Sequence, residues 1–121
     1  MKNEDELLRL RSWAHRVRRG ALYEDFTLRA DVDLGGQPWE PVGTPDAPYS
    51  GVFDGGGHTI SGLYVAPGHF CGGFFGRLVG TVRDVHVCGT VHGYGYVGGI
   101  AAMVQYGEIT GCTFRGEEIK E

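Results

Sequence analysis

Residues 53–65 read FDGGGHTISGLYV, a glycine run that opens into an alternating apolar segment. Glycine lets a backbone turn where side chains would clash, so the run predicts a corner and the segment after it a strand. Its apolar positions, Ile60, Leu63 and Val65, set a pattern of apolar, two others, apolar, one other, apolar. The same pattern recurs at Val82, Val85, Val87 and at Ile109, Cys112, Phe114, at steps of 22 and 27 residues. A second register runs alongside: GGFFGRLVG at 72–80 matches GGIAAMVQYG at 98–107, pairing Phe74 with Ile100 and placing Ala102 against Gly76. Self-similarity at this period marks a solenoid, in which no coil buries its own apolar face and each must stack on its neighbours.

The chain has 121 residues, which sets a single domain with a modest core. Glycine accounts for 22 of them, without the every-third spacing of collagen, so it punctuates many short elements. Residues 3–19 form the one helical pattern. Asn3 stands as N-cap with Glu6 completing a capping box, and Leu7, Leu10, Ala14 and Val17, with Trp13 beside them, make an apolar stripe. Gly20 ends it. Such a stripe needs something to cover, which predicts a helix lying over the end of the core. The division is therefore a capping helix over 1–20 and a β-solenoid over 21–121.

From Phe26 the period changes to two. Leu28, Ala30, Val32 and Leu34 alternate with Arg29, Asp31 and Asp33, the pattern of one strand with a buried face. Residues 35–50, rich in proline, read as an ordered loop pinned by Trp39 and Tyr49. The last coil is expected to end at Phe114, leaving GEEIKE as a short charged tail over strand edges that need a cover.

Charge is uneven. Residues 1–20 carry six bases and three acids, and the remaining 101 carry five bases and twelve acids, for a net of −4. An acidic body argues against direct nucleic-acid binding, and the basic head is expected to be a solvated helix face. Cys71, Cys88 and Cys112 are odd in number and lack CxxC spacing, so neither a disulfide framework nor a zinc site is expected. The acidic start MKNEDELLRL is no signal peptide and no stretch is suited to span a membrane. With a native Met1 this predicts a cytoplasmic protein; as a fragment of something longer, a surface or secreted one.

At these residues the chain resembles the Gly-rich, GLUG-type β-helix repeats of bacterial surface proteins found beside adhesins and immunoglobulin A peptidases. The matching elements are the helix leading into LRADVDLGGQPWEPVG (28–43), PYSGVFDGGGHTISGLYV (48–65), GGFFGRLVGTVRDVHVCGTV (72–91) and VGGIAAMVQYGEITGCTFRG (97–116). The resemblance implies a right-handed parallel β-helix with an N-terminal helical cap, here of about three to four coils. It brings no catalytic residues. What the repeats contribute to their parent proteins is structural or adhesive.

Motifs with chemical potential are weak. Gly93-Tyr94-Gly95-Tyr96-Val97-Gly98 fits GxGxxG, but a coil rather than a helix follows, so no nucleotide cofactor is expected. Asp54-Gly55-Gly56-Gly57-His58 has the look of a calcium turn yet occurs once, and no metal is expected. Asp31 and Asp33 share a strand face and would serve as paired carboxylates only with a partner across a cleft. The histidines are scattered, and Cys112 takes an inward position. Tyr94, Tyr96 and Tyr106 lie in glycine-rich turns, with Phe70, Phe74 and Phe75 nearby in the repeat, and tyrosine on a turn is a common interface anchor. The candidate contact residues are therefore Tyr94, Tyr96, Tyr106, Asp31 and Asp33. The expectation is a non-enzymatic protein-interaction module without cofactor: a binder or inhibitor of a larger macromolecule, including a mobile-element protein that blocks a nucleic-acid enzyme. It would work through a protein partner or by self-association, at the open C-terminal coil or along a solenoid face. An adhesin-like surface fragment and a carbohydrate-active β-helix enzyme are the alternatives.

Overall fold

A computed structural model describes residues 3–121, the side chain of Asn3 excepted. Helix α1 (Asn3–Arg18) precedes twelve short strands among the described residues: β1 (Phe26–Thr27), β2 (Val32–Asp33), β3 (Val52–Asp54), β4 (Thr59–Val65), β5 (Cys71–Gly72), β6 (Phe75–Leu78), β7 (Thr81–Arg83), β8 (His86–Gly93), β9 (Tyr96–Val97), β10 (Ala101–Val104), β11 (Glu108–Thr110) and β12 (Thr113–Lys120). All pairings are parallel. The strands stack as β1-β3-β7-β11, β2-β4-β8-β12, β5-β9 and β6-β10. This is a mainly β protein, a parallel β-solenoid of about four coils with one N-terminal helix.

The register exposes the inward ladders. Phe26 stacks on Phe53, Phe53 on Val82 and Val82 on Ile109. On the neighbouring sheet Val32 stacks on Ile60, Ile60 on Val87 and Val87 on Phe114. The two later repeats therefore align as expected, whereas the first does not: Ile60 lies under Val87, not Val82. The physical cause is corner length. Four residues, Gly55–His58, separate β3 from β4, while only Asp84 and Val85 separate β7 from β8. The glycine run thus adds to the corner rather than matching the next coil. A Cβ on Gly55 would run into Asp84 and Val85 of the coil above, so only glycine fits there. Corners of the next two coils hold the left-handed conformation at Asp84 (φ 54°) and Gly111 (φ 63°).

The single strand expected from Phe26 to Leu34 is two strands, β1 and β2, on different sheets. Leu28, Val32 and Leu34 are all buried, because the chain turns a corner between them while keeping the same side inward. The loop 35–50 closes the first coil through bridges from Val42 to Phe75 and Tyr49 to Leu78. Trp39 stacks on Phe74 at 4.6 Å and donates its indole N–H to the Phe74 carbonyl. Gly76 has the Gly43 carbonyl where its Cβ would stand. The expected end of the last coil at Phe114 is also corrected: the strand runs on to Lys120, paired with β8 at eight positions.

Helix α1 lies over the first coil. Leu10, Trp13, Ala14 and Val17 are buried, and the Trp13 ring sits 5.2–5.4 Å from those of Phe26, Tyr49 and Phe53. The Trp13 N–H and the Tyr49 hydroxyl both donate to the Glu24 carbonyl at 2.8 Å. Burial, with Asp25 adding to it, holds the Tyr49 phenol well above its ordinary range, so it remains a donor. The helix ends in a Schellman pair, Gly20 N–H to Val17 and Ala21 N–H to Arg16.

Polar contacts fix the helix further. The buried Glu6 carboxylate accepts from Arg9 Nε at 2.9 Å and from the Arg29 backbone N–H at 2.6 Å, which ties the first turn of the helix to the first coil. The Asn3 half of the expected capping box lies outside the described side chains. The basic head is not simply a solvated face. Arg9 lies over the Phe26 ring, Arg16 binds the Glu24 carboxylate, and Arg18 covers Trp39 and donates to the Glu40 carbonyl. Trp13→Ala is expected to cost about 3–5 kcal/mol, a large share of the ~5–15 kcal/mol a domain commands. Urea unfolding followed by circular dichroism measures it.

Candidate interaction surface

Most aromatic side chains face the core, but three meet in the open at one corner. Strand β5 stacks on β9 with Cys71 beneath Tyr96, which sets Phe70 one coil below Gly95. The two layers are tied by backbone bonds: Tyr94 N–H to the His69 carbonyl at 3.0 Å, and the N–H groups of Gly95 and Tyr96 to the Phe70 carbonyl at 2.9 and 2.8 Å. Phe70 meets Tyr94 edge-on at 5.5 Å and Tyr96 edge-on at 5.6 Å. All three stay exposed, at 43, 55 and 48 per cent. Gly95 is required between the tyrosines, since a Cβ there would strike the Phe70 ring.

Phe70 also borders a cleft of about 370 Å³. One wall comes from the end of α1 and the turn after it, through Val17, Arg18 and Leu22, and another from the proline loop, through Glu40, Pro41, Pro45 and Ala47. His69 and Cys71 stand beside Phe70 on the remaining side. Arg18 is the cation of this wall, held toward Glu40 at 3.9 Å. Burial pushes the Cys71 thiol up, with Arg77 opposing in part. The cleft and aromatic corner together make a continuous, largely apolar feature with one ion pair at its side.

Of the residues singled out from the sequence, the fold unites Tyr94 and Tyr96. Tyr106 sits elsewhere, on the turn between β10 and β11, in the left-handed conformation (φ 64°) and 92 per cent exposed. Asp31 and Asp33 serve backbone geometry: Asp31 accepts from the Thr59 N–H at 2.9 Å and faces His58, and Asp33 accepts from the Gly35 N–H at 2.8 Å. His86 pairs with Thr113, and His92 meets the Val65 carbonyl. Cys112, expected in the core, is half-buried in the last coil. The cleft escaped sequence reading because its walls come from three separated segments. Phe70 carried a usable signal, as an aromatic outside the inward repeat with a glycine one coil later.

The class of protein is thus a parallel β-solenoid, a repeat architecture suited to protein interaction or structural support. No protein-family model matches the chain, and no solved structure matches it. One relative is a protein of Evansella cellulosilytica whose name describes it as a Gly-rich membrane protein, 34% identical over 97 residues, covering 77% of this chain. The chain spans about a tenth of that relative's length (10%). No helix among the described residues is long and apolar enough to cross a membrane.

Reactivity of the cleft thiol checks the geometry. Because the thiolate is the reactive form, Cys71 is expected to alkylate at least about tenfold more slowly in the native chain at pH 8 than in urea. Peptide mapping after timed maleimide labelling reads this directly.

Proposed function

We propose that this chain is a non-enzymatic interaction module that docks a larger protein through the Phe70–Tyr94–Tyr96 corner and the adjoining cleft. The observation that carries the proposal is the corner itself. Three aromatic rings are exposed together on turns already fixed by backbone hydrogen bonds. Large apolar area held rigid before contact loses little entropy on binding, which is what makes aromatic anchors effective. In a free-standing form the module acts as a binder or inhibitor, and a nucleic-acid enzyme is one target for a cytoplasmic, mobile-element version with an acidic body.

A second reading is favoured by the Evansella relative, in which the matched segment is a small part of a much longer protein. There the coils would belong to a GLUG-type repeat protein of the cell surface, with a structural or adhesive task. The length of the native reading frame separates the two settings, and the aromatic corner is available for contact in both.

The test is affinity capture from an extract of the source cell. The immobilised wild-type chain is compared with Tyr94→Ser/Tyr96→Ser and with Tyr106→Ser. A specific partner retained by wild-type and Tyr106→Ser, and reduced about tenfold or more by the double variant, is expected from the loss of two anchors. Equal melting curves establish that the fold is intact. Retention by the double variant would overturn the assignment of this corner.

A further inference from the structure

The far end of the solenoid presents a different surface. Strand β12 is the outermost of its sheet, paired along eight residues with β8 on one side, and among the described residues nothing pairs its other edge. The interior it closes is incompletely covered: Ile100, Ile109, Cys112 and Phe114 pack on the core but stay partly exposed. An extended strand with a free edge is a template for another strand.

We propose that the occupant of this edge is a second copy of the chain, with β12 pairing antiparallel to β12 of its mate about a two-fold axis through Gly116. Charge decides the register. Directly opposed residues of an antiparallel pair share a face, so a two-fold perpendicular to the sheet must pass through a residue and not between two. An axis through Arg115 would oppose two guanidiniums, and one through Glu117 would oppose two carboxylates. An axis through Gly116 sets Arg115 opposite Glu117 twice, and axes nearer either end give up strand overlap. Arg115 and Glu117 are both exposed and have no ion-pair partner among the described residues. They stack above Cys88 and Thr90, alternating with Phe114 and Glu118, which stack above the buried Val87 and Val91.

Glu118 opposes indiscriminate stacking, because it stands where the coils below have Val65 and Val91. Its carboxylate is tied to its own chain, accepting the Gly99 N–H at 2.5 Å. In the Gly116 register it would lie opposite Phe114 of the mate. An inward charge of this kind blunts an edge toward general partners and leaves the symmetric register, with its two outer ion pairs, as the favoured match. The last residues of β12 lie beside Gly93, next to the aromatic corner, but the edge pairing rests on Arg115, Gly116 and Glu117 and uses none of the aromatic rings.

Sedimentation equilibrium of the 121-residue chain across a wide concentration range tests it. Wild-type is expected to dimerise. Arg115→Glu should weaken the dimer about tenfold or more, since it sets like charges opposite each other twice. Arg115→Glu/Glu117→Arg should restore it, because the exchange returns opposite charges to the same register. Amide exchange over Thr113–Lys120 should slow as wild-type concentration rises. A wild-type chain that stays monomeric, a dimer indifferent to Arg115→Glu, or a charge exchange that folds but fails to restore association would each overturn the proposal.

Discussion

The structure depends on one contact, the Trp13 indole set into the open mouth of the first coil. A solenoid differs from a closed domain in having two ends at which its interior meets water. At the first end α1 supplies the missing layer. The ring lies among Phe26, Tyr49, Phe53 and Phe75, and its N–H shares the Glu24 carbonyl with the Tyr49 hydroxyl. Both lone pairs of that carbonyl are therefore used, and neither buried donor is left unsatisfied. Arg9, Arg16 and Arg18 extend the same attachment outward, over Phe26 and Trp39 and onto Glu24. Arg16 in turn draws the Glu24 carboxyl below its usual range, although so exposed a pair adds little to stability. These three arginines thus have a structural explanation that composition alone did not supply.

The other end is handled by different means. No helix covers it among the described residues. Instead Phe114 folds over Gly99, whose lack of a side chain makes the space, and Glu118 stands at the next inward position with its carboxylate on the Gly99 N–H. One residue therefore serves both, the apolar lid through its missing side chain and the polar anchor through its backbone N–H. The two ends have unequal demands as a result. The first is filled by a large aromatic layer, while the last keeps partly exposed apolar residues beneath a long strand with a free edge.

The architecture was legible because coils three and four keep the same corner lengths. Val82 matches Ile109 and Val87 matches Phe114 at a constant 27 residues, and that interval shows plainly in the sequence. The second coil was misread because extra residues in its glycine corner displace everything after it relative to the sheet before it. Phe53 lies 29 residues from Val82, yet Ile60 lies 27 from Val87. A pattern search that holds spacing constant through a corner must choose one sheet and misplace the other. The strand break near Arg29 was hidden for a related reason, since an alternating pattern records which side faces inward and carries no record of a bend.

The interaction surface was half legible, and the missing half follows from how such folds distribute their side chains. Along the sheets every position has a neighbour one coil above and below, so outward residues become ladders and inward ones become core. Corners escape this rule because their length varies, and variation there costs the stack little. Tyr94, Gly95 and Tyr96 occupy such a corner, and the turn chemistry made the tyrosines visible as candidates. What no linear reading supplied was the contact with Phe70, which reaches them only because β5 and β9 pair with Cys71 beneath Tyr96. The 25-residue interval of that pairing differs from the 27 of the main sheets, so the aromatic lies one coil below Gly95 and not below a bulky residue. Had the spacing been one residue longer, the ring would have met a tyrosine backbone bearing a Cβ, and the edge-on triad could not have closed. The corner is therefore a product of register, in the same sense as the core.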